Sequence, residues 1–107
     1  MEQAFVQVAT TVDTEIAARD IANSAVAARL AACAQVGRVQ SVYWWAGAVT
    51  DADEWTVTFK TTGSRYAALE EHIRSQHPYE VPEILATPIL AGDPAYLSWI
   101  RAETNNV

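Results

Sequence analysis

The residues best equipped for chemistry are gathered in one stretch, His77-Pro78-Tyr79-Glu80-Val81-Pro82-Glu83. It offers an imidazole, a phenol and two carboxylates. Imidazole with carboxylate suits a borderline divalent ion such as Cu(II) or Zn(II), held only while the imidazole is neutral. Pro78 and Pro82 fix φ at about −65° and remove two backbone donors, so neither a regular helix nor a central strand can run through the stretch. The residue before each proline is pushed extended. The donors therefore stand on a backbone with little conformational entropy left to lose. The bland use of such a stretch is a stiff connector with solvated side chains or a subunit contact, and residue types alone leave both uses open.

Three further groups could take part. Cys33 is the only thiol. It could act as a soft ligand, or as a nucleophile with His77 as base, but free cysteine is most often a small buried hydrophobe. Lys60 stands alone in a row of threonines, where it could meet an anionic ligand, pair with Glu80, or stay solvated or in an interface. His72 and His77 are five apart, whereas a metal shared on one helix face wants three or four. There is no Cys-x-x-Cys, no His-x-x-x-His and no calcium loop. A closed metal site within one chain is therefore not expected, and the best ligand set is His77 with Glu80 or Glu83, completed by another subunit.

The elements that must position these groups follow from periodicity. Residues 4–10 read as a strand rich in Val, Thr and Phe. Thr14 and Glu15 open a helix over residues 15–31, with Ala17, Ile21, Ala25 and Ala28 as its small inner stripe. Residues 32–36 read as a short strand and, after Gly37, residues 38–46 as a longer one. Residues 47–54 carry Gly, Thr and three acids and read as a turn, with pairing starting near Ala48 or Val49. The returning strand alternates cleanly: Trp55, Val57 and Phe59 on one side, Thr56, Thr58, Lys60 and Thr62 on the other. Gly63-Ser64 opens a second helix with Tyr66, Leu69 and Ile73 as its stripe, stopping at about His77. Residues 84–90 form a last strand, which Pro88 confines to an edge or a bulge. Asp93-Pro94 caps a short final helix with Tyr96, Leu97 and Ile100 inward, and residues 104–107 should fray.

This order predicts an α+β fold: a ferredoxin-like βαββαβ antiparallel sheet with two helices on one face and an added C-terminal helix. The other sheet face would carry either Tyr43 and Trp45 or Val42 and Trp44 beside the threonine row. That is too much aromatic area for a solvent side, so an oligomer should cover it.

The 107 residues make one domain, spanning 1–107, able to bury roughly 65% of the surface of its unfolded chain. With 7 basic against 13 acidic residues the net charge is −6. Such a chain repels phosphate backbones and anionic lipid, and Tyr43-Trp44-Trp45 is not interleaved with Arg or Lys, so nucleic acid and membranes are excluded as partners. The first residues lack the basic start and apolar run of a signal peptide, and no apolar run approaches the ~20 residues of a membrane span. The expected location is the cytoplasm.

Leu30-Ala31-Ala32-Cys33, Ser41-Val42-Tyr43-Trp44-Trp45 followed by Gly47, Phe59-Lys60-Thr61-Thr62, the stretch from His77 to Glu83, and Tyr96-Leu97-Ser98-Trp99-Ile100 together resemble the CutA family of divalent-cation-tolerance proteins. The resemblance spans nearly the whole chain. It implies a ferredoxin-like fold, a homotrimer resembling PII-type signalling proteins, a response to copper(II) and related divalent cations, and no catalysis. It places Cys33, Trp45, Lys60, His77, Tyr79, Glu80 and Pro82 near a cleft between subunits. Metal ligands would then come from His77, Glu80, Glu83 and Cys33. A PII-like adaptor role would instead use Lys60, Tyr79 and Trp45 to hold a small anion. Two departures stand out. Val36-Gly37-Arg38 replaces the family's Ile-Pro-Gly turn and is one residue shorter, and Ala46 and Ala48 replace the acid and lysine around the hairpin glycine.

Overall fold

In a computed structural model that describes residues 2–105, the chain forms a four-stranded sheet ordered β2-β3-β1-β4, with every neighbouring pair antiparallel. The strands are β1 (Phe5–Val12), β2 (Cys33–Trp45), β3 (Ala48–Thr62) and β4 (Leu85–Pro88); the helices are α1 (Glu15–Ala27), α2 (Tyr66–Gln76) and α3 (Pro94–Glu103). A single turn of 3₁₀ helix, Gly63–Arg65, leads into α2. β4 is an edge strand that ends on Pro88, so the missing donor costs no ladder bond.

Period-2 alternation sets the faces. Val6, Val8 and Val12 of β1 and Val57 and Phe59 of β3 are buried against Ala18, Ile21, Ala22 and Ala25 of α1 and Leu69 and Ile73 of α2. The α1 stripe is thus shifted by one position from the expected Ala17 and Ala28, because Ala18 and Ala22 also face the sheet. Small side chains let that helix lie close. Between the helices Ser24 Oγ lies 2.8 Å from His72 Nε2, a tie that occupies His72 away from His77.

Helix α1 stops four residues before the expected end. Arg29 adopts φ 60°, with its N–H on the Val26 carbonyl and the Leu30 N–H on the Ala25 carbonyl, the Schellman pattern usually built on glycine. The Arg29 side chain bonds the Glu103 carbonyl and carboxylate, both at 3.1 Å, which helps hold this conformation. Helix α3 packs on the sheet face opposite α1 and α2: the Arg101 guanidinium covers the Phe5 ring at 4.8 Å, and Ile100 is buried outside the main core. Thr104 does not fray. It is buried, its hydroxyl donates to the Ile100 carbonyl, and its carbonyl accepts Arg65 Nε at 2.8 Å; Asn106 and Val107 lie outside the described residues.

The two expected strands around Gly37 are one. Gly37 pairs with Thr56 in an unbroken ladder running from Cys33↔Lys60 to Trp45↔Ala48. The acids read as a turn are likewise strand residues, and the turn is only Ala46-Gly47. Since β1 reaches only to Val12↔Trp55, residues 39–45 and 48–54 project as a two-stranded arm. Its tip exposes Val42, Trp44, Trp45 and Val49. The register puts Tyr43 and Trp45, with Thr56, Thr58 and Lys60, on the face away from α1 and α2, and Val42 and Trp44 on the other.

Positive φ at both Ala46 (51°) and Gly47 (79°) identifies a type I′ turn. A left-handed alanine is strained, and Ala46 is exposed. Ala46→Asn should therefore stabilise the fold by about 0.5–1 kcal/mol and Ala46→Val should destabilise it, read as shifts in the urea midpoint at unchanged slope.

Candidate functional site

Residues 77–83 are irregular, as the prolines require, and lie across the ends of β1 and the arm. His77 follows the last turn of α2 with ψ 135°, the extended conformation that Pro78 imposes. Its ring is a clamp. Nε2 donates to the Thr11 carbonyl at 2.8 Å and lies 3.1 Å from Thr10 Oγ1, while Nδ1 accepts the Tyr79 N–H at 3.1 Å. A carbonyl can only accept and an amide N–H can only donate, so the partners select the neutral tautomer protonated at Nε2. Burial lowers the imidazole pKa from its usual 6.5, against the opposing effect of the Thr11 carbonyl.

Tyr79 reaches across to the arm. Its hydroxyl donates to Glu54 Oε2 at 2.7 Å, and its ring lies 4.9 Å from the His77 ring. Burial first, and then the bond to Glu54, push the phenol pKa well up, so it stays a donor. Glu54 is only 8% exposed. It shares the site face with Tyr43 because both occupy the same alternation of the ladder.

Between the arm and the proline segment runs a groove of about 660 Å³, walled by Ser41, Tyr43, Trp45, Tyr79, Glu80 and Glu83 with Glu54 in its floor. Among the described residues no lysine or arginine lines it. Trp45, Tyr79, Glu80 and Glu83 of the expected site residues meet here, with His77 just beneath, bracing the segment. Cys33 and Lys60 do not. They pair with each other across β2 and β3 at the far end of the sheet, four strand positions or roughly 13 Å beyond Thr56, the partner of Thr11. There Lys60 Nζ donates to Gln35 Oε1 at 2.6 Å, and Cys33 Sγ, half-buried, is 3.6 Å from the Tyr96 hydroxyl. Among the described residues no three His, Cys, Asp or Glu side chains converge as a metal cluster.

Glu54 was hidden in the sequence because its neighbours Asp51 and Asp53 made it look like part of a polar turn. Its signal was positional. An acid on the same alternation as Thr56 and Thr58 must stand on the site face once the strand is extended back to Ala48.

Protonating His77 would place a second N–H against the Tyr79 amide. Because the folded pKa is depressed, the stabilising contribution is whole above about pH 6.5 and is lost as pH falls from there toward the folded value. Urea melts of wild type and His77→Gln between about pH 7.5 and about pH 5 should show the gap in stability narrowing on acidification. A constant gap would mean that the ring does not titrate differently in the folded state.

A family model described as CutA1 divalent ion tolerance protein matches residues 6–103. "Protein CutA 1, chloroplastic" of Oryza sativa is 43% identical over 96 residues, 88% of this chain but 54% of the rice protein, so the chain spans about half of that relative. "Divalent-cation tolerance protein CutA" of Thermus thermophilus is 43% identical over 95 residues, 88% of this chain and 92% of that one. The solved structure of CutA from Synechococcus elongatus superposes with a TM-score of 0.93 at 39% identity, covering 96% of this chain and 92% of that one. With its sheet, its proline segment and almost its whole length accounted for in this way, the chain belongs to the CutA1 family of divalent ion tolerance proteins.

Proposed function

We propose that the protein responds to divalent cations, copper(II) or its relatives, as a homotrimer, and that it draws the ion to the carboxylates of the groove rather than closing a cage around it. The observation that carries this reading is the wall itself: Glu54, Glu80 and Glu83 line one groove that no basic residue enters among the described residues. The donors within one chain do not fit a tight site. Both nitrogens of His77 are engaged, so ligation there would forfeit a hydrogen bond, and no three ligands converge among the described residues. Glu80 and Glu83 would hold the ion, with remaining positions filled by water or by a neighbouring subunit. Binding of this kind is weak and hydrated.

The strand order β2-β3-β1-β4 supports the ferredoxin-like topology. The arm supports the trimer: Val42, Trp44 and Trp45 are 72%, 74% and 69% exposed in a single chain, which calls for a partner surface. A binding rather than catalytic role is favoured because Cys33 and His77 stand at opposite ends of the sheet. The anion-binding adaptor reading is disfavoured, since Lys60 lies away from Tyr79 and Trp45. A cytoplasmic location agrees with a single unpaired cysteine.

Calorimetric titration with Cu(II) in a weakly coordinating buffer, with the trimer checked by sedimentation, tests the reading. Wild type should show saturable binding that the double substitution Glu80→Gln/Glu83→Gln weakens by about tenfold or more. Wild type without saturable binding, or a double variant that binds equally well, would refute it. A folded monomer at micromolar concentration would separately remove the trimer.

A further inference from the structure

Arg65 holds an unmet donor. Its Nε gives a hydrogen bond to the Thr104 carbonyl at 2.8 Å, but Nη2 is buried without a hydrogen-bond partner among the described residues. Buried donors are nearly always satisfied in folded proteins, and a charged N–H shut away from water is costly until an acceptor meets it. Arg101 is close by. Its guanidinium lies over the Phe5 ring at 4.8 Å, a stack that uses the face of the ion and leaves the N–H groups around its edge to serve another partner.

These two arginines differ from the rest. Arg19, Arg29, Arg38 and Arg74 each pair with a carboxylate, and among the described residues neither Arg65 nor Arg101 does. Acids outnumber bases by 13 to 7 in this chain, so partners were not in short supply. Both unpaired guanidiniums nevertheless line one pocket of about 460 Å³, whose other walls are Thr62, Ser64, Thr104 and Asn105. No carboxylate lines it among the described residues. The Thr62 and Ser64 hydroxyls lie 3.1 Å apart, so one donates to the other and one proton remains to give to a third group. The Thr104 hydroxyl is committed to the Ile100 carbonyl.

Two guanidiniums and a hydroxyl pair, with no carboxylate among them, are the chemistry of an oxyanion. Each planar fork matches two oxygens of a phosphate, and two forks match its two charges. The volume lies within the range of small-molecule sites. The pocket stands at the end of the sheet opposite the arm: Thr62 pairs with Phe5 and Thr56 with Thr11, six strand positions or roughly 20 Å apart. Its walls are the end of β3, the 3₁₀ turn and the last turn of α3 with the residues after it, all from one chain, and Thr62 is already buried within that chain.

We propose that this pocket binds a phosphate group, free or carried by a small phosphomonoester, seated between the guanidiniums of Arg65 and Arg101. The site does not depend on the metal reading, which rests on Glu80 and Glu83 at the other end of the sheet.

The test is titration of the metal-free protein in Tris chloride at fixed ionic strength, with sodium phosphate and with ethyl phosphate, followed by calorimetry and by the arginine Nε–H signals in NMR. Saturable binding is expected, with the Arg101 signal moving and that of Arg19, already on Glu15, unmoved. Tighter binding of ethyl phosphate would identify an ester as the occupant, and tighter binding of phosphate the free ion. Arg101 is exposed, so Arg101→Gln will fold, and it should weaken binding by about tenfold or more. Arg38→Gln makes the same change in net charge away from the pocket and should leave the affinity unaltered. The proposal is overturned if folded wild type shows no saturable binding of either anion, as it would were a neighbouring subunit to cover the pocket. It is equally overturned if Arg101→Gln binds as wild type does, or if Arg38→Gln weakens binding as much as Arg101→Gln. The Glu80→Gln/Glu83→Gln variant should keep its phosphate affinity, so failure here and failure of the Cu(II) reading are separate results.

Discussion

Everything in the molecule is placed by the register of β3. This strand is paired over its full length, to β2 from Ala48 to Lys60 and to β1 over its second half. Because side chains alternate with period two, one register puts Val57 and Phe59 in the core and Glu54, Thr56, Thr58 and Lys60 on the opposite face. A slip of one residue would bury Lys60, expose Phe59 and carry Glu54 out of the groove in a single step. The hydrophobic energy of the core thus fixes the position of a carboxylate well beyond that core. The site inherits its precision from packing at a distance.

The second constraint is the proline segment. It has no ladder of its own, and two side chains hold it: the His77 ring on the end of β1 and the Tyr79 hydroxyl on the arm. These bonds act in series. The His77 Nδ1 accepts the Tyr79 N–H, so the imidazole that ties the segment to β1 also orients the residue that ties it to Glu54. A neutral ring is required for this, and burial supplies it. The proximity of an imidazole to carboxylates suggests a metal ligand from sequence, yet here the same residue is spent on holding the groove open.

Much of this was legible in the residues. Pro78 ended α2 where the chain does end it, Pro88 marked an edge strand, and Trp55, Val57 and Phe59 named the core face. The failures have physical causes. Helix α1 was read too long because its left-handed cap is an arginine held by Glu103, and no glycine announced it. Gly37 looked like a break, but an added Cβ there would meet only Thr56 Cγ2, at 3.9 Å, and the strand runs straight through. The hairpin and its pairing from near Ala48 were read correctly, but residues 47–54 were taken as a turn because Asp51, Asp53 and Glu54 are poor strand formers, a preference that pairing to Val42, Gln40 and Val39 overrides. Which of Cys33, Lys60 and His77 would meet was not decidable without the register, since all three belong to one recurring set of motif residues but stand at two ends of one sheet.

The distribution of charge leaves the groove acidic. Of the 7 basic residues, Arg19, Arg29, Arg38 and Arg74 are in surface ion pairs, Lys60 rests on Gln35, and Arg65 and Arg101 serve the docking of α3. Arg38 pairs with an acid of the arm. It lies on the opposite face, paired with Asp53 at 3.1 Å and 5.9 Å from the Trp55 ring. Alternation therefore keeps Arg38 and Asp53 on one face of the arm and leaves Glu54 on the other without an ion pair among the described residues. Surface pairs of this sort contribute little to stability, but by holding the positive charge elsewhere they leave the groove's negative potential unopposed, and within a partly desolvated cleft such a potential acts at greater strength than in water. The same argument weighs against an anion at this end of the sheet: three carboxylates would repel it, and the nearest unpaired cation, Lys60, is too far along β3 to offset them.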